Sequence, residues 1–166
     1  MRKLLFTLCA TFLSISQIQM ASIHIDDFRL KPTTNEEENI KDEIRKQISE
    51  FALNYLNTPY LWGSNGPKSF DCSGYVNYVY EKTVGIDLPR VSSNIAKYGT
   101  KVDKDDLQLG DILYFKTTRK NRISHVGIYI GDNKFVHASS RNKKVVISEI
   151  KGYYQRTLRG AVRPVK

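Results

Sequence analysis

Cysteine, histidine and tryptophan are scarce in this chain of 166 residues, and the scarcity excludes several classes of protein. Two cysteines, Cys9 and Cys72, cannot build the disulfide framework of a small secreted scaffold. Three histidines, with no Cys-x-x-Cys and no helical histidine pair, leave little from which to make a structural zinc site. No apolar run is long enough to cross a bilayer; the longest, at residues 4–13, has the length of a signal-peptide core. Neither an internal repeat nor a low-complexity tract is present. Acidic residues are the minority, 17 against 26 basic, for a formal charge of +9. The length suits one domain with a real core and is short for two.

Arg2 and Lys3 precede the apolar run, and Ser14 and Ser16 are small residues of the kind signal peptidase reads. Residues 1–16 therefore read as an export signal, with cleavage after Ala21 or Ser22 as the alternative. Cys9 invites a lipoprotein reading, but it lies early and follows the bulky Leu8, so lipidation is not expected. Removing residues 1–16 takes the charge from +9 to +7 and leaves Cys72 with no partner for an internal disulfide. A lone thiol in an exported protein is open to oxidation, and catalysis is the best reason to keep one. The basic residues fall at 116–122, 141–144 and 156–166. That distribution fits attraction to an anionic envelope polymer, and equally three solvated loops.

Residues 17–34 read as a linker with a short extended piece at 22–30. Thr34 and Glu37 have capping-box spacing, and Ile40, Ile44, Ile48, Phe51, Ala52 and Tyr55 recur at helical intervals, which predicts a helix over 35–56. Asn57, Thr58 and Pro59 stop it. An irregular stretch rich in Gly, Pro and Ser at 62–69 then gives way to a helical run from Cys72 to about residue 82, with Gly85 ending it and Val76, Val79 and Tyr80 facing inward. Residues 88–93 begin a loop or short helix. Strands follow at 112–115, 124–130, 134–139, 145–150 and 159–162, with Gly131, Asp132 and Asn133 in a tight turn. Helices first and a strand meander second give an α+β fold with an antiparallel sheet.

Cys72 lies where a helix begins, and the partial positive charge and free N–H groups there favour a thiolate, the nucleophilic form. Asp71 is placed to cap that helix, and Gly74 leaves its first turn open to a close approach. A buried small hydrophobe at a helix start is the plainer account of such a cysteine. Along the strand from 124, Val126, Ile128 and Ile130 alternate with His125, Gly127 and Tyr129. If Val136 joins that apolar face, His125 and His137 share the other, provided the connection is odd in length, for instance 132–134. Gly127 would leave room for an imidazole. A thiol, a base and a group that orients the base are what nucleophilic cysteine chemistry needs, and Cys72, His125 and His137 have those residue types. A metal site of the same three is the competing arrangement.

Taken in order, Pro59-Tyr60-Leu61-Trp62-Gly63, Phe70-Asp71-Cys72-Ser73-Gly74, Leu88-Pro89-Arg90, Gly110-Asp111, His125-Val126-Gly127-Ile128-Tyr129 and His137-Ala138 resemble the catalytic domain of NlpC-type cell-wall cysteine peptidases. The resemblance covers residues 36–163, within a domain at 35–166. It implies a papain-like α+β fold, N-terminal helices packed on an antiparallel sheet, and an exported enzyme, secreted or periplasmic, that needs no metal or organic cofactor. The implied reaction is hydrolysis of peptidoglycan stem peptides, commonly between D-glutamate and diaminopimelate. Cys72 would be the nucleophile, His125 the base and then the acid, His137 the group orienting His125, and Tyr60 an oxyanion donor with the Cys72 backbone N–H. Asp71, Ser73, Arg90 and Ser92 would shape the substrate pocket, with a helix cap and an ion pair as the plainer roles of Asp71 and Arg90. Trp62 and Asp111 read as structural. Ser64 stands where the family often has a second glycine, and Ile95 where a glutamine is common, which bears on peptide preference. A wall amidase, acyltransferase or deamidase on the same fold, and a non-catalytic wall-binding protein, are the alternatives; nucleic-acid binding by the basic loops is a weaker one.

Overall fold

The computed structural model describes residues 33–119 and 121–165. The export signal expected at 1–16, Cys9, and the linker through residue 32 lie outside the described residues. Helix α1 is Thr34–Leu53, one residue earlier at its start than expected and three shorter at its end. Its capping box uses Thr33 and Glu36: the Glu36 N–H donates to Thr33 Oγ1 (3.3 Å) and the Thr33 N–H to Glu36 Oε2 (2.7 Å). Thr34 and Glu37 have the same spacing, so sequence alone could not choose between the two pairs. Ile48 and Ala52 are buried as the periodicity required, whereas Ile40 is 54% exposed. Arg45 is buried in its place on the helix face, paired with Asp42 Oδ1 (2.6 Å) and Glu38 Oε1 (3.1 Å). Past Leu53 the chain turns, and the Tyr55 ring packs edge-on against Phe70 and Tyr78 rather than continuing the helix.

Helix α2, Cys72–Val84, is capped by Asp71, whose Oδ1 accepts from the Gly74 N–H at 2.7 Å. It stops at Gly85, which takes a left-handed φ of 67° that glycine adopts without steric cost. Val76, Val79 and Tyr80 are buried as expected. Tyr75 donates its hydroxyl to the Ala52 carbonyl (2.8 Å) and Tyr80 to the Gly110 carbonyl, tying α2 to α1 and to the turn before the sheet. A one-turn helix, α3 (Ser92–Ile95), follows.

The strands are β1 (Thr100–Val102), β2 (Ile112–Phe115), β3 (His125–Tyr129), β4 (Lys134–Ser139), β5 (Lys144–Glu149) and β6 (Leu158–Arg163). They form one antiparallel sheet in the order β1-β6-β2-β3-β4-β5. Three elements escaped the sequence reading, one of them a single 3₁₀ turn at Lys104–Asp106. β1 is a three-residue edge strand that exists by pairing with β6, and the short helix α4 (Tyr153–Thr157) has too few turns to show a period.

One sheet face, with Ile112, Val126, Ile128, Val136, Ala138, Val145 and Val162, packs against α1 and α2. On the other, Leu113, Phe115, Phe135 and Leu158 gather beside Tyr154 of α4. Each large apolar side chain so buried contributes about 1.5–3 kcal/mol. Ile128 pairs with Val136, and past the end of β3 the Ile130 N–H still donates to the Lys134 carbonyl (3.1 Å), which leaves Gly131, Asp132 and Asn133, all at positive φ, as the connection. The connection is therefore odd in length, one residue earlier than 132–134, and it places His125 and His137 on the same face.

Candidate active site

The thiol is delivered by a helix start that three other segments hold in place. Asp71 is 5% exposed and saturated with donors: the N–H groups of Gly74 (2.7 Å) and Gly63 (3.0 Å), the Ser73 hydroxyl (3.2 Å), and both terminal nitrogens of Arg90 (3.0 and 2.5 Å). Arg90 also donates to Ser73 Oγ at 2.8 Å. Asp71 is thus helix cap and ion-pair partner together, and one carboxylate fixes the loop at Gly63, the first turn of α2 and the segment before α3. Gly74 is required by contact. A Cβ there would lie 2.3 Å from the Ser64 carbonyl oxygen, which accepts the Asp71 N–H at 2.9 Å. The Ser64 hydroxyl is turned away, donating to the Ser69 carbonyl (2.7 Å).

Cys72, the one cysteine among the described residues, is nearly buried, and it packs in the same core cluster as Val126. Val126 follows His125 at the beginning of β3, so the helix start that carries the thiol packs near that end of the strand. The expected net stabilisation of the thiolate is corrected by the structure. The N–H groups of Val126, Ser73 and Cys72 do lower the thiol, but burial and then the Asp71 carboxylate raise it further, so it ends above its ordinary value.

His125 Nε2 lies 2.8 Å from His137 Nδ1, with the two rings edge to face. Gly127 makes this pairing possible, since a Cβ at 127 would stand 3.0 Å from His137 Cβ and 2.7 Å from Phe135 Cδ2. His137 is fully buried and stacks on Phe135. Its Nε2 meets Ser148 Oγ at 3.0 Å and Tyr154 Oη at 3.4 Å. Burial lowers His125 to about 4 and, with the nearby His125 charge, His137 to about 2. Both rings are therefore neutral near pH 7. Neither Ser148 nor Tyr154 was singled out from sequence. Ser148 alternates with the buried face of an exposed edge strand, and Tyr154 sits on the helix that left no periodic signal.

A cleft of about 570 Å³ opens over the thiol, lined among others by Asp71, Ser73, Arg90, Ser92 and Arg122. Trp62 lines it too and is 82% exposed, so the structural role expected of it is wrong: its ring lies on the cleft instead of in the core. Asp111 has the expected role, buried and holding Arg163 Nε at 2.8 Å and the Gln108 N–H at 2.8 Å. Tyr60 is half-buried against the core cluster that holds Cys72; burial, then the Cys72 and Asp71 charges, push its phenol up. Ile95 is buried in the core and does not line the cleft. Among the described residues no group of three or more His, Cys, Asp or Glu side chains is placed to hold a metal ion.

A thiol at a helix N-terminus, packed on an antiparallel sheet whose strands carry paired imidazoles, has the architecture of a papain-like domain. Residues 57–163 match the model of the NlpC/P60 family, and the chain belongs to that family. It is 40% identical over 117 residues to a gamma-DL-glutamyl hydrolase of Bacillus subtilis, covering 70% of this chain and 28% of that protein. With the murein DD-endopeptidase MepH of Escherichia coli it shares 31% identity over 126 residues, covering 71% of this chain and 46% of the relative. An NlpC/P60 family protein from Bacillus cereus superposes with a TM-score of 0.65 at 31% identity, over 71% of this chain and 40% of that one. The chain thus spans less than half the length of each of these three.

Proposed function

We propose that this protein is an exported cysteine endopeptidase that hydrolyses peptidoglycan stem peptides through an acyl-enzyme on Cys72. The observation that carries the reading is a helix-start thiol buried in one cluster with Val126, the residue next in the chain to an imidazole whose Nε2 is already engaged by His137. Nδ1 of His125 is then the nitrogen left for the thiol proton. For Nδ1 to accept, Nε2 must carry the hydrogen and donate to His137 Nδ1; His137 in turn carries its hydrogen on Nε2, where Ser148 Oγ and Tyr154 Oη can accept.

Thiol and imidazole are each held neutral by burial, so charge separates when the proton passes between them and the two new charges attract. The sulfur attacks the amide carbonyl, and the oxyanion is met by the Cys72 N–H and the Tyr60 hydroxyl; one such donor is worth about 100-fold in rate. His125 hands its proton to the leaving amine, then activates the water that releases the acyl group. Asp71, Ser73, Arg90 and Ser92 form the wall against which the acyl half lies, with the Asp71–Arg90 pair holding that wall rigid.

The D-glutamyl–diaminopimelate amide is the bond we assign. Its support is the resemblance and the gamma-glutamyl activity in one relative's name, while another relative is named for a DD bond. Export rests on the basic start and apolar run at 2–13 and on a lone thiol in the domain. Basic residues beside the cleft suit a wall with anionic polymers. The test is digestion of purified cell walls with mass analysis of the products. Wild type should release peptides cut after D-glutamate, and Cys72→Ala should release none while still sedimenting with the walls. Disaccharide freed of its peptide would point to an amidase instead, and lysis surviving in Cys72→Ala would overturn the mechanism.

A further inference from the structure

The imidazole of His137 is boxed in by its neighbours. Phe135 stacks on it with ring centroids 4.7 Å apart, Tyr154 meets it edge-on, and its Nδ1 faces His125 Nε2 at 2.8 Å. What remains is the far nitrogen, Nε2, where Ser148 Oγ lies at 3.0 Å and Tyr154 Oη at 3.4 Å. The longer distance is at the limit of a hydrogen bond, so Ser148 is the principal partner. Strand register brings it there: β5 sets Val146 opposite His137 and Ser148 opposite Phe135, which puts the hydroxyl on the imidazole's face, one diagonal step along the ladder. Ser148 and both imidazoles also line an opening of about 470 Å³, with Arg141, Tyr153 and Tyr154 as the other titratable groups around it. No acidic side chain lines that opening.

A carboxylate behind an imidazole can only accept, and in that way it dictates the tautomer. A serine hydroxyl both accepts and donates, so at this position the direction of one bond decides the state of two rings. Were Ser148 to donate, His137 would carry its hydrogen on Nδ1 and give it to His125 Nε2. His125 would then hold its own hydrogen on Nδ1 and could not take a proton from the thiol. With Ser148 accepting, the order is reversed and Nδ1 of His125 is bare. We infer that Ser148 is a positioning residue of the site: it accepts the Nε2 hydrogen of His137 and so fixes the tautomer of both imidazoles, with its own hydrogen turned to the opening. The inference rests on the thiol reading above, which requires that bare nitrogen, and adds the group that selects it. Half-buried at the edge of the sheet, Ser148 has solvent to take its hydrogen, whereas His137 is fully buried and its N–H depends on the hydroxyls beside it.

The test reads activity and tautomer separately, by hydrolysis of a stem peptide and by nitrogen NMR of the histidine rings in isotope-labelled protein. Ser148→Ala should lower kcat about fivefold with KM unchanged, the worth of one neutral hydrogen bond. Ser148→Thr, which keeps the hydroxyl, should restore it. Ser148→Asp, which only accepts, should move the acid limb of the pH–rate profile up by about one unit, because a carboxylate beside the pair favours its protonated form. A packing role alone would change Tm and leave that limb in place. In the ring spectra wild type should carry the hydrogen of both His125 and His137 on Nε2, and Ser148→Ala should show a mixture. A hydrogen on Nδ1 of His137 in wild type, or a kcat of Ser148→Ala within about twofold of wild type, overturns the role; should Ser148→Asp fail to fold, the wild-type spectra decide. Hydrolysis surviving in Cys72→Ala would sink the thiol reading and leave the tautomer measurement intact, so the two failures are told apart.

Discussion

Arg90 offers the sharpest check on how this site handles charge. Its two nitrogens fork onto Asp71, and the Asp71 carboxylate raises the Cys72 thiol, while the Cys72 charge in turn raises Arg90. Guanidinium and sulfur therefore sense one another across the carboxylate. In Arg90→Gln the carboxylate keeps the N–H groups of Gly63 and Gly74 and the Ser73 hydroxyl but loses the guanidinium that offsets its charge. A unit charge removed from the far side of the adjacent carboxylate, at an effective dielectric of about 20, is worth on the order of 2 kcal/mol. The arginine side chain is 39% exposed. Solvent screening then takes about half of that, leaving roughly one pH unit. The midpoint of Cys72 alkylation by iodoacetamide against pH should rise by that amount in Arg90→Gln and move little in Arg90→Lys. Loss of the fork should cost about 1 kcal/mol, a few degrees in Tm. A midpoint that stays put or falls would refute the claim that Arg90 offsets the Asp71 field at the sulfur.

Trp62 is the only tryptophan in the chain and lines the thiol cleft, so its fluorescence reports occupancy. Titrating Cys72→Ala with stem peptide should change its emission, and Trp62→Ala should raise KM about tenfold with Tm unchanged, as expected of a contact residue 82% exposed; an unresponsive emission would remove Trp62 from the binding surface. Stability should fall on acidification through the histidine range. His125 and His137 are held at about 4 and about 2 when folded against 6.5 when unfolded, so between pH 6.5 and about 4 the unfolded chain binds more protons. Stability fully present above pH 6.5 is lost as pH falls through that window, and His137→Gln should flatten the slope of Tm against pH; an equal slope in both proteins would contradict the neutral pair.

The order of helices and strands, the cap and stop of α2, and the alternation in β3 were all legible in the chain, because each depends on neighbours within a few residues: Asp71 before Cys72, Gly85 after Val84, Val126 and Ile128 two apart. The parity that brought His125 and His137 to one face was legible too, once an odd connection was assumed. Motif order alone also pointed to the family that the comparisons established.

What the sequence could not decide was every property that depends on distant segments meeting. Whether the thiol rests ionised was set by burial and by a carboxylate whose effect depends on Arg90 folding back from the segment before α3, and local helix-end reasoning had the sign of the net result wrong. Trp62 read as structural, yet its loop is pinned by the Gly63 N–H on Asp71, which leaves the ring outward on the cleft. Ser148 and Tyr154 reach His137 only because β5 pairs with β4 and α4 lies across the second sheet face. Local physics wrote the elements into the chain; solvent exclusion and long-range pairing, which exist only after they pack, set the charge states and the contacts of the site.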